Sequence, residues 1–561
     1  MAGSSRVPVS LRNFASAKTA AVRRSPYAVF NLDLVRNIVF AYFLLRHFRR
    51  AVRRLRGRGI IGTVVDVYSY AQRYAYGVFL NFPGIKSKVQ GQVDEALKKL
   101  EDKLVQKGPG VTRYLALPKE GFTKEQARAE LKKLSEMEHT SWEDGYVSGA
   151  VYHGGDALLD IQSEAYRMFS VSNPLHPDVF PGVRKMEAEI VAMVLAMYNA
   201  PVGAAGITTS GGTESILMAC LSARTKAYEE RGVSEPEMII PNTAHAAFDK
   251  ASYYFGITVH HVAVDPVTLK VDLKAVNRLV NYNTVLIVGS APNFPHGIID
   301  DITGLSKIAL RRRIPLHVDA CLGSFIVPFL EKAGFPTTPF DFRVKGVTSI
   351  SCDTHKYGFA PKGNSVLLFR TKKLRSYGYF ITATWPGGVY ASPSLAGSRA
   401  GSLIAGTWVS LMIQGESGYT SSCREIVGAM KEIETGIKEK LQPDIYVLGE
   451  PMVSVVAFSS KTINIYDVAD EMNTLGWHLS ALQDPPAIHI ACTKPTVSAT
   501  GKFLEDLEKA VKEVKLKGEK SGGTKAAMGD TAAFYGVAGS LPNKSVVNSM
   551  ASGFIDTLYK A

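Results

Sequence analysis

A chain of 561 residues, 46% hydrophobic and 21% charged, exceeds one ordinary domain and is too apolar to be disordered, so two or three folded units are expected. Its formal net charge of +14 is concentrated in residues 1–58, where thirteen Arg or Lys face the single acid Asp33; the remainder is nearly neutral and offers no basic face for nucleic acid. Five scattered cysteines, Cys220, Cys321, Cys352, Cys423 and Cys492, form no C-x-x-C pair, which argues against a disulfide framework or a zinc site and for a reducing compartment; no metal is expected.

Residues 1–60 read as a basic anchor or targeting segment. The apolar run from Ile38 to Leu45 falls well short of the roughly 20 residues that span a bilayer, and Asp33 and Arg36 stop it from extending. Three readings stay open. One is a spanning helix. The second is an interfacial helix with Leu44, Phe48, Val52 and Leu55 in the lipid boundary and Arg46, Arg49, Arg50, Arg53 and Arg54 on anionic headgroups. The third is a mitochondrial transit peptide, since residues 1–30 lack Asp and Glu. Residues 61–164 read as a helical connecting region, with Val93, Leu97, Leu100 and Leu104 at helical spacing among charges expected to be solvated.

From Ala165 to about Arg370, within a large domain read as residues 165–405, short apolar runs alternate with amphipathic stretches, the pattern of a mainly parallel sheet wrapped by helices. Strands are expected at Thr284–Val288, Ile314–Val318 and Val347–Ser351. Residues 406–561 begin with a helix and continue with alternating segments at Ile445–Leu448, Val453–Phe458 and Ala487–Ile490, a smaller α/β domain and tail. Within it, the Lys/Gly-rich segment Lys515–Gly529 reads as a mobile loop.

Four motifs fall at strand-to-helix junctions. In S-I-S-C-D-T-H-K-Y-G-F-A-P-K-G a strand delivers Asp353, Thr354, His355 and Lys356 to its carboxyl edge, where open α/β sheets bind ligands. A lysine there suits Schiff-base chemistry with an aldehyde cofactor, or is simply a surface lysine at a strand end. Asp319 in L-H-V-D-A can hold a heteroaromatic nitrogen protonated, or cap a helix. The turn T-T-S-G-G-T-E-S opens a helix with free amides suited to phosphate, without the G-K-[S/T] ending of a nucleotide P-loop. In P-N-T-A-H-A-A-F-D-K, His245 is placed to stack on a planar ligand or to serve as a buried structural histidine.

The order phosphate turn, His, Asp, Lys, together with V-S-G-A-V-Y, N-P-L-H-P-D-V-F, G-S-A-P-N-F-P-H-G-I-I-D and G-G-V-Y-A-S-P-S-L-A-G-S-R-A-G-S, resembles the pyridoxal 5'-phosphate enzymes of fold type I. Within them it is similar to the lyase branch of the group II decarboxylase-like family, over roughly residues 138–555. The resemblance implies an α/β fold with a mainly parallel seven-stranded sheet in a cofactor-binding large domain (165–405), a smaller C-terminal α/β domain and a helical N-terminal region. It also implies that Lys356 carries the cofactor, Asp319 pairs with the pyridine nitrogen and His245 stacks on the ring. Gly212, Thr213 and His355 would approach the cofactor phosphate. A second set, Tyr152, Asn173, His176, Lys362 and Tyr390, would grip the substrate's phosphate, as a phosphomonoester needs cations and several donors.

The implied reaction cleaves a phosphorylated long-chain base between C2 and C3, in a homodimer with shared active sites. His355, Lys356 and a tyrosine are the candidate proton-transfer groups. The N-terminal segment would meet a membrane surface, that of the endoplasmic reticulum with the catalytic part facing the cytosol, or direct the chain to the mitochondrion. An amino-acid decarboxylase of the same family and a membrane-bound pseudoenzyme are the alternatives.

Overall fold

Runs of β-branched and aliphatic residues fit strands covered on both faces, and the interior strand Thr284–Ser290 (T-V-L-I-V-G-S) is of that kind, while the strands beside it carry buried polar residues as well. The structure, a computed structural model, describes residues 26–105, 111–520 and 545–561. Its large sheet contains β1 (Ala205–Thr209), β2 (Glu237–Pro241), β3 (Thr258–Val262), β4 (Thr284–Ser290), β5 (Leu316–Asp319), β6 (Val347–Cys352) and β7 (Ser365–Phe369). Their order is β1-β7-β6-β5-β4-β2-β3, and only β7 runs antiparallel to its neighbours β1 and β6. This is the seven-stranded, mainly parallel sheet expected from the resemblance.

Every residue of β1, β2, β4, β5 and β7 is buried, whereas the edge strand β3 is partly exposed. There His260 and His261 meet Glu237 and Asp249 at 3.0 and 2.8 Å, polar pairing suited to an unpaired edge. Helices Gly212–Arg231, Ala247–Phe255, Leu273–Leu279 and Ile302–Arg312 connect the strands. The last two start at aspartate caps: Asp272 accepts from Lys274 and Ala275 amides, and Asp301 from the Gly304 amide.

A hairpin of β8 (Phe380–Thr382) and β9 (Tyr390–Ser392) follows, and then the kinked helix Gly401–Gly436. The smaller sheet contains β10 (Tyr446–Val447), β11 (Val455–Ser459), β12 (Ser480–Leu482) and β13 (Ala487–Ala491), all antiparallel in the order β10-β11-β13-β12. The segment G-S-A-P-N-F-P-H-G-I-I-D joins the two sheets' territories. Gly297 has φ +70° and its missing side chain leaves room for the Val455 carbonyl, which a Cβ would approach to 2.9 Å. Asp300 accepts from the amides of Ser290 and Val271 at 2.8 and 3.0 Å, and burial pushes its carboxyl up to about 6 against those bonds.

The loop expected at Lys515–Gly529 is corrected in its first part. Phe503, Leu507, Ala510, Val511 and Val514 recur on one buried face, and their helix, Thr500–Lys520, runs on through the lysines; residues 521–529 lie outside the described part. The connecting region is also less solvated than its charges suggest. Helix Pro83–Leu104 is covered by helix Ser545–Thr557, with Val93 buried and Leu97 lying against Gly553.

Toward the N-terminus one helix spans Pro26–Leu80, broken in its geometry at Gly59. The chain divides within it into two units, Met1–Tyr68 and Ser69–Ala561. Among the described residues no helix is long and apolar enough to cross a membrane. Most of the stretch read as a transit peptide, residues 1–25, lies outside the described residues.

Candidate active site

Three strand ends build the site. β1 ends in the turn Ser210–Gly211–Gly212, which opens the helix Gly212–Arg231. Glu214, buried in the first turn of that helix, accepts from the Ser210 amide at 2.7 Å and from the Leu395 amide at 3.2 Å, tying the turn to the loop after β9. A chain of hydroxyls, Thr209 to Ser215 at 2.7 Å and Ser215 to Ser365 at 3.0 Å, fastens it to β7. A Cβ on Gly212 would lie 2.8 Å from both Asp353 Oδ1 and Cys321 Sγ, so only glycine lets this turn approach the ends of β5 and β6.

β5 ends on Asp319, whose Oδ1 accepts from the Cys321 amide at 3.0 Å and the Ser351 hydroxyl at 3.2 Å. β6 leads into Asp353, Thr354, His355 and Lys356. Thr354 donates to Asn364, and the amides of Phe359 and Ala360 close the turn on the carbonyls of Lys356 and Thr354. Tyr357 is fully buried and donates to the Cys492 carbonyl at 2.7 Å, so the lysine-bearing turn is anchored to the small domain.

Lys356 Nζ lies 2.9 Å from Asp353 Oδ2, and His355 Nε2 is 3.6 Å from the same oxygen. Burial disfavours charge on both partners. For Lys356, Asp353 outweighs burial and holds the ammonium above the usual lysine range; for Asp353, Lys356 and His355 hold the carboxyl below its usual range. Burial lowers His355, leaving it neutral near pH 7. The Tyr152 hydroxyl is pushed up to about 12, mainly by burial, and so stays a proton donor.

Lys362 as a residue is exposed, yet its Nζ turns inward, 3.2 Å from the His355 carbonyl and 4.5 Å from the centre of the Tyr152 ring. Loss of solvent and the nearby charge of Lys356 lower it to about 8.

Gly212, Asp319, His355 and Lys356 thus share one site, with Lys362 and Tyr152 at its edge. Asn173 belongs to a neighbouring cluster: its amide donates to Ser398 Oγ at 3.0 Å and its carbonyl accepts from the Leu175 and Arg399 amides. A Cβ on Gly397 would lie 2.9 Å from the Tyr390 hydroxyl, which places Tyr390 on the same loop. His176 joins through its backbone alone, its amide donating to the Asn173 carbonyl. Thr213 and His245 are exposed at the carboxyl ends of β1 and β2, without recorded contact to the others. His245 Nδ1 accepts from the Ala247 amide at 3.1 Å, which puts its proton on Nε2. The buried-histidine reading of His245 therefore does not hold.

Reading the motifs passed over Asp353 as a functional group, although its place three residues before Lys356 in one turn is the available signal. It also passed over Arg399, which pairs with Glu187 and donates to Thr208 at 2.8 Å, fixing the loop beside Asn173. That pairing joins residues 212 positions apart, and no local pattern carries it.

The residues fit an anionic, carbonyl-bearing cofactor. Asp353 Oδ1 and His355 Nδ1 are sealed from solvent with no well-formed hydrogen bond among the described residues, as in a site built around a polar ligand. An amine, a glycine cradle at a helix N-terminus and a carboxylate at the end of β5 surround them.

Residues 172–461 match the family described as the pyridoxal-dependent decarboxylase conserved domain. Sphingosine-1-phosphate lyase of Saccharomyces cerevisiae is 47% identical over 526 residues, covering 93% of this chain and 88% of that protein. Sphingosine-1-phosphate lyase 1 of Mus musculus is 42% identical, covering 88% of this chain and 86% of that protein. The solved structure of sphingosine-1-phosphate lyase from Burkholderia pseudomallei superposes with a TM-score of 0.70 at 41% identity, over 73% of this chain and 96% of that one. Glutamate decarboxylase of Lactobacillus brevis, at 19% identity and a TM-score of 0.63, shares the fold. With its lysine, aspartate and glycine turn gathered at three strand ends, and with these relatives matching along nearly its whole length, the chain belongs to the sphingosine-1-phosphate lyase family of pyridoxal-dependent enzymes.

Proposed function

We propose that the chain is a pyridoxal-phosphate-dependent carbon–carbon lyase. It cleaves a phosphorylated long-chain base such as sphingosine-1-phosphate between C2 and C3, to a long-chain aldehyde and phosphoethanolamine, as a step of sphingolipid degradation. The observation that carries this reading is the inward-turned Lys362 ammonium beside Tyr152, a second cationic position next to Lys356, suited to a substrate that brings its own phosphate. When bound, pyridoxal phosphate supplies an electron sink for the pair released as the C2–C3 bond breaks.

Lys356 would hold the cofactor through its carbonyl carbon, and Asp353, 2.9 Å away, keeps that amine in place. Asp319 would pair with the ring nitrogen, His245 would stack on the ring, and Gly212, Thr213 and His355 would hold the cofactor phosphate. Lys362, His176, Asn173, Tyr152 and Tyr390 hold the substrate phosphate and so fix C3 relative to the ring. Tyr152, protonated through the physiological range, donates. Neutral His355 is able to take the C3 hydroxyl proton, whereas Lys356, held cationic beside Asp353, can give one.

Incubating purified protein and pyridoxal phosphate with sphingosine-1-phosphate is expected to release phosphoethanolamine and a long-chain aldehyde in equal amounts. Carbon dioxide from a free amino acid, with no phosphoethanolamine, would overturn the reading in favour of a decarboxylase.

Two further parts of the proposal concern assembly and place. A homodimer is supported by Phe380, Ile381, Trp385 and Val389, large apolar residues exposed on the hairpin that carries Tyr390. A single-chain mass of 60.9 kDa in solution would count against it. A membrane surface is supported by the exposed Leu44, Phe48 and Leu55 on the arginine-rich helix, and we propose the endoplasmic reticulum, with the catalytic part in the cytosol, as that membrane. Removing residues 1–60 is expected to release activity from membranes; full retention of the truncated protein would rule the anchor out.

A further inference from the structure

Behind Asp319 lies a polar file that the reaction as described does not use. β5 and β6 pair in parallel, His317 opposite Ser349 and Asp319 opposite Ser351, so four polar side chains share one face of a buried sheet. His317 and Ser351 have no exposure, and Ser349 has 3%. His317 Nε2 lies 3.2 Å from Ser351 Oγ, and its Nδ1 lies 2.9 Å from Ser349 Oγ.

The directions of these bonds follow from one fixed end. A carboxylate only accepts, so Ser351 donates its single proton to Asp319 Oδ1. Ser351 must then accept from His317, which places the imidazole proton on Nε2 and makes Nδ1 an acceptor for the Ser349 hydroxyl. Burial lowers His317 to about 4, so the ring is neutral and a single tautomer is consistent with the whole file. Both recorded bonds to the carboxylate, from Cys321 and Ser351, end on Oδ1. Oδ2 keeps its lone pairs for an incoming N–H.

We propose that His317 is a positioning residue for Asp319: by fixing the Ser351 hydroxyl as a donor to Oδ1, it holds the carboxylate in the rotation that leaves Oδ2 for the ring nitrogen of pyridoxal phosphate. A hydroxyl free to turn would leave Oδ1 held by the Cys321 amide alone and so loosen the carboxylate's rotation. This rests on the assignment of Asp319 to the ring nitrogen, and the test separates the two.

The variants are Ser351→Ala, His317→Phe, the double variant, His317→Gln and Asp319→Asn. Each is measured for pyridoxal phosphate affinity of the apo-protein by visible absorbance, for kcat and KM on sphingosine-1-phosphate, and for apo-protein melting. Ser351→Ala and His317→Phe are each expected to lower kcat by roughly tenfold with KM little changed and to weaken cofactor binding, as for loss of a hydrogen bond to a charged group. The double variant is expected to be no worse than the worse single one, because both break one file. His317→Gln, which restores a donor toward Ser351, is expected to recover most of the loss. Ser351→Ala, which removes one oxygen, tests the idea even if His317→Phe fails to fold.

Wild-type values for Ser351→Ala, multiplying losses in the double variant, or losses that follow melting temperature with no rescue by glutamine would overturn the inference. If Asp319→Asn itself behaves as wild type, the assignment of Asp319 falls, and the inference with it.

Discussion

Lys362 must hold a charge for a phosphate while standing close to a second ammonium, and the two demands meet in its value of about 8. The sign follows directly. The group is cationic below that value and neutral above it, so kcat/KM for the phosphorylated base is expected to fall as pH rises through about 8. Lys362→Arg, with a cation that does not titrate in this range, is expected to move that limb upward. Lys362→Ala is expected to cost roughly tenfold or more in kcat/KM while the visible band of the lysine-bound cofactor persists. A flat profile in the wild type, or a loss of the cofactor band in Lys362→Ala, would remove the residue from the substrate site. Lys356 itself was readable from its position after a strand and before glycines. Asp353 was signalled only by its place three residues before Lys356; its role comes from a 2.9 Å contact and a burial that the folded sheet imposes.

Among the elements, the turn at Gly211–Gly212 is where the site depends on the absence of a side chain. In Gly212→Ala the new methyl would press on Asp353 and Cys321, neither of which has a flexible end to swing aside. The variant is expected to lose cofactor on dialysis, read as a falling ratio of visible to protein absorbance. Gly428→Ala, on the helix Gly401–Gly436 with nothing within 4 Å of its added methyl, is expected to keep the cofactor and melt no lower, since alanine is favoured over glycine in helices by up to about 1 kcal/mol. Equal cofactor retention in both would mean that the cradle is looser than its distances. The strands were legible where β-branched and aliphatic residues dominate a short run: those expected at 284–288 and 347–351 form β4 and β6, each a residue or two longer. The insertion of β7 between β1 and β6 was not, because strand order depends on pairing between segments some 160 residues apart, as in Ala205 with Phe369. A helix in the N-terminal region was legible in the spacing of its arginines; its extent, Pro26–Leu80, was not, because the charges interrupt the apolar run, and no local pattern marks the kink at Gly59.

At the scale of the molecule, three imidazoles are held neutral inside: His296, His317 and His489, each lowered by burial to about 4. On unfolding each takes up a proton between about pH 4 and 6.5, so stability is lost as pH falls through that window, on the order of 3 kcal/mol per ring at most. Asp300, raised to about 6, acts in the opposite sense, since its unfolded form releases a proton that the folded form keeps. Three against one leaves a net loss, and melting temperature is expected to drop steeply between pH 6.5 and 4.5; a flat profile would show that the rings are already solvated in the native state. A different consequence follows from the helix Ser545–Thr557 resting on the helix Pro83–Leu104, where Lys560 pairs with Glu101 across 459 residues. During synthesis the apolar stripe of Val93, Leu97 and Leu100 leaves the ribosome roughly 20 to 90 s before its cover is made. The nascent chain therefore spends that interval with an adhesive stripe in the open, and chaperones have a defined time in which to shield it. Deleting residues 545–561 makes the interval permanent: the truncated protein is expected to bind a hydrophobic dye and to aggregate, and a soluble, dye-silent product would show that the stripe has another cover.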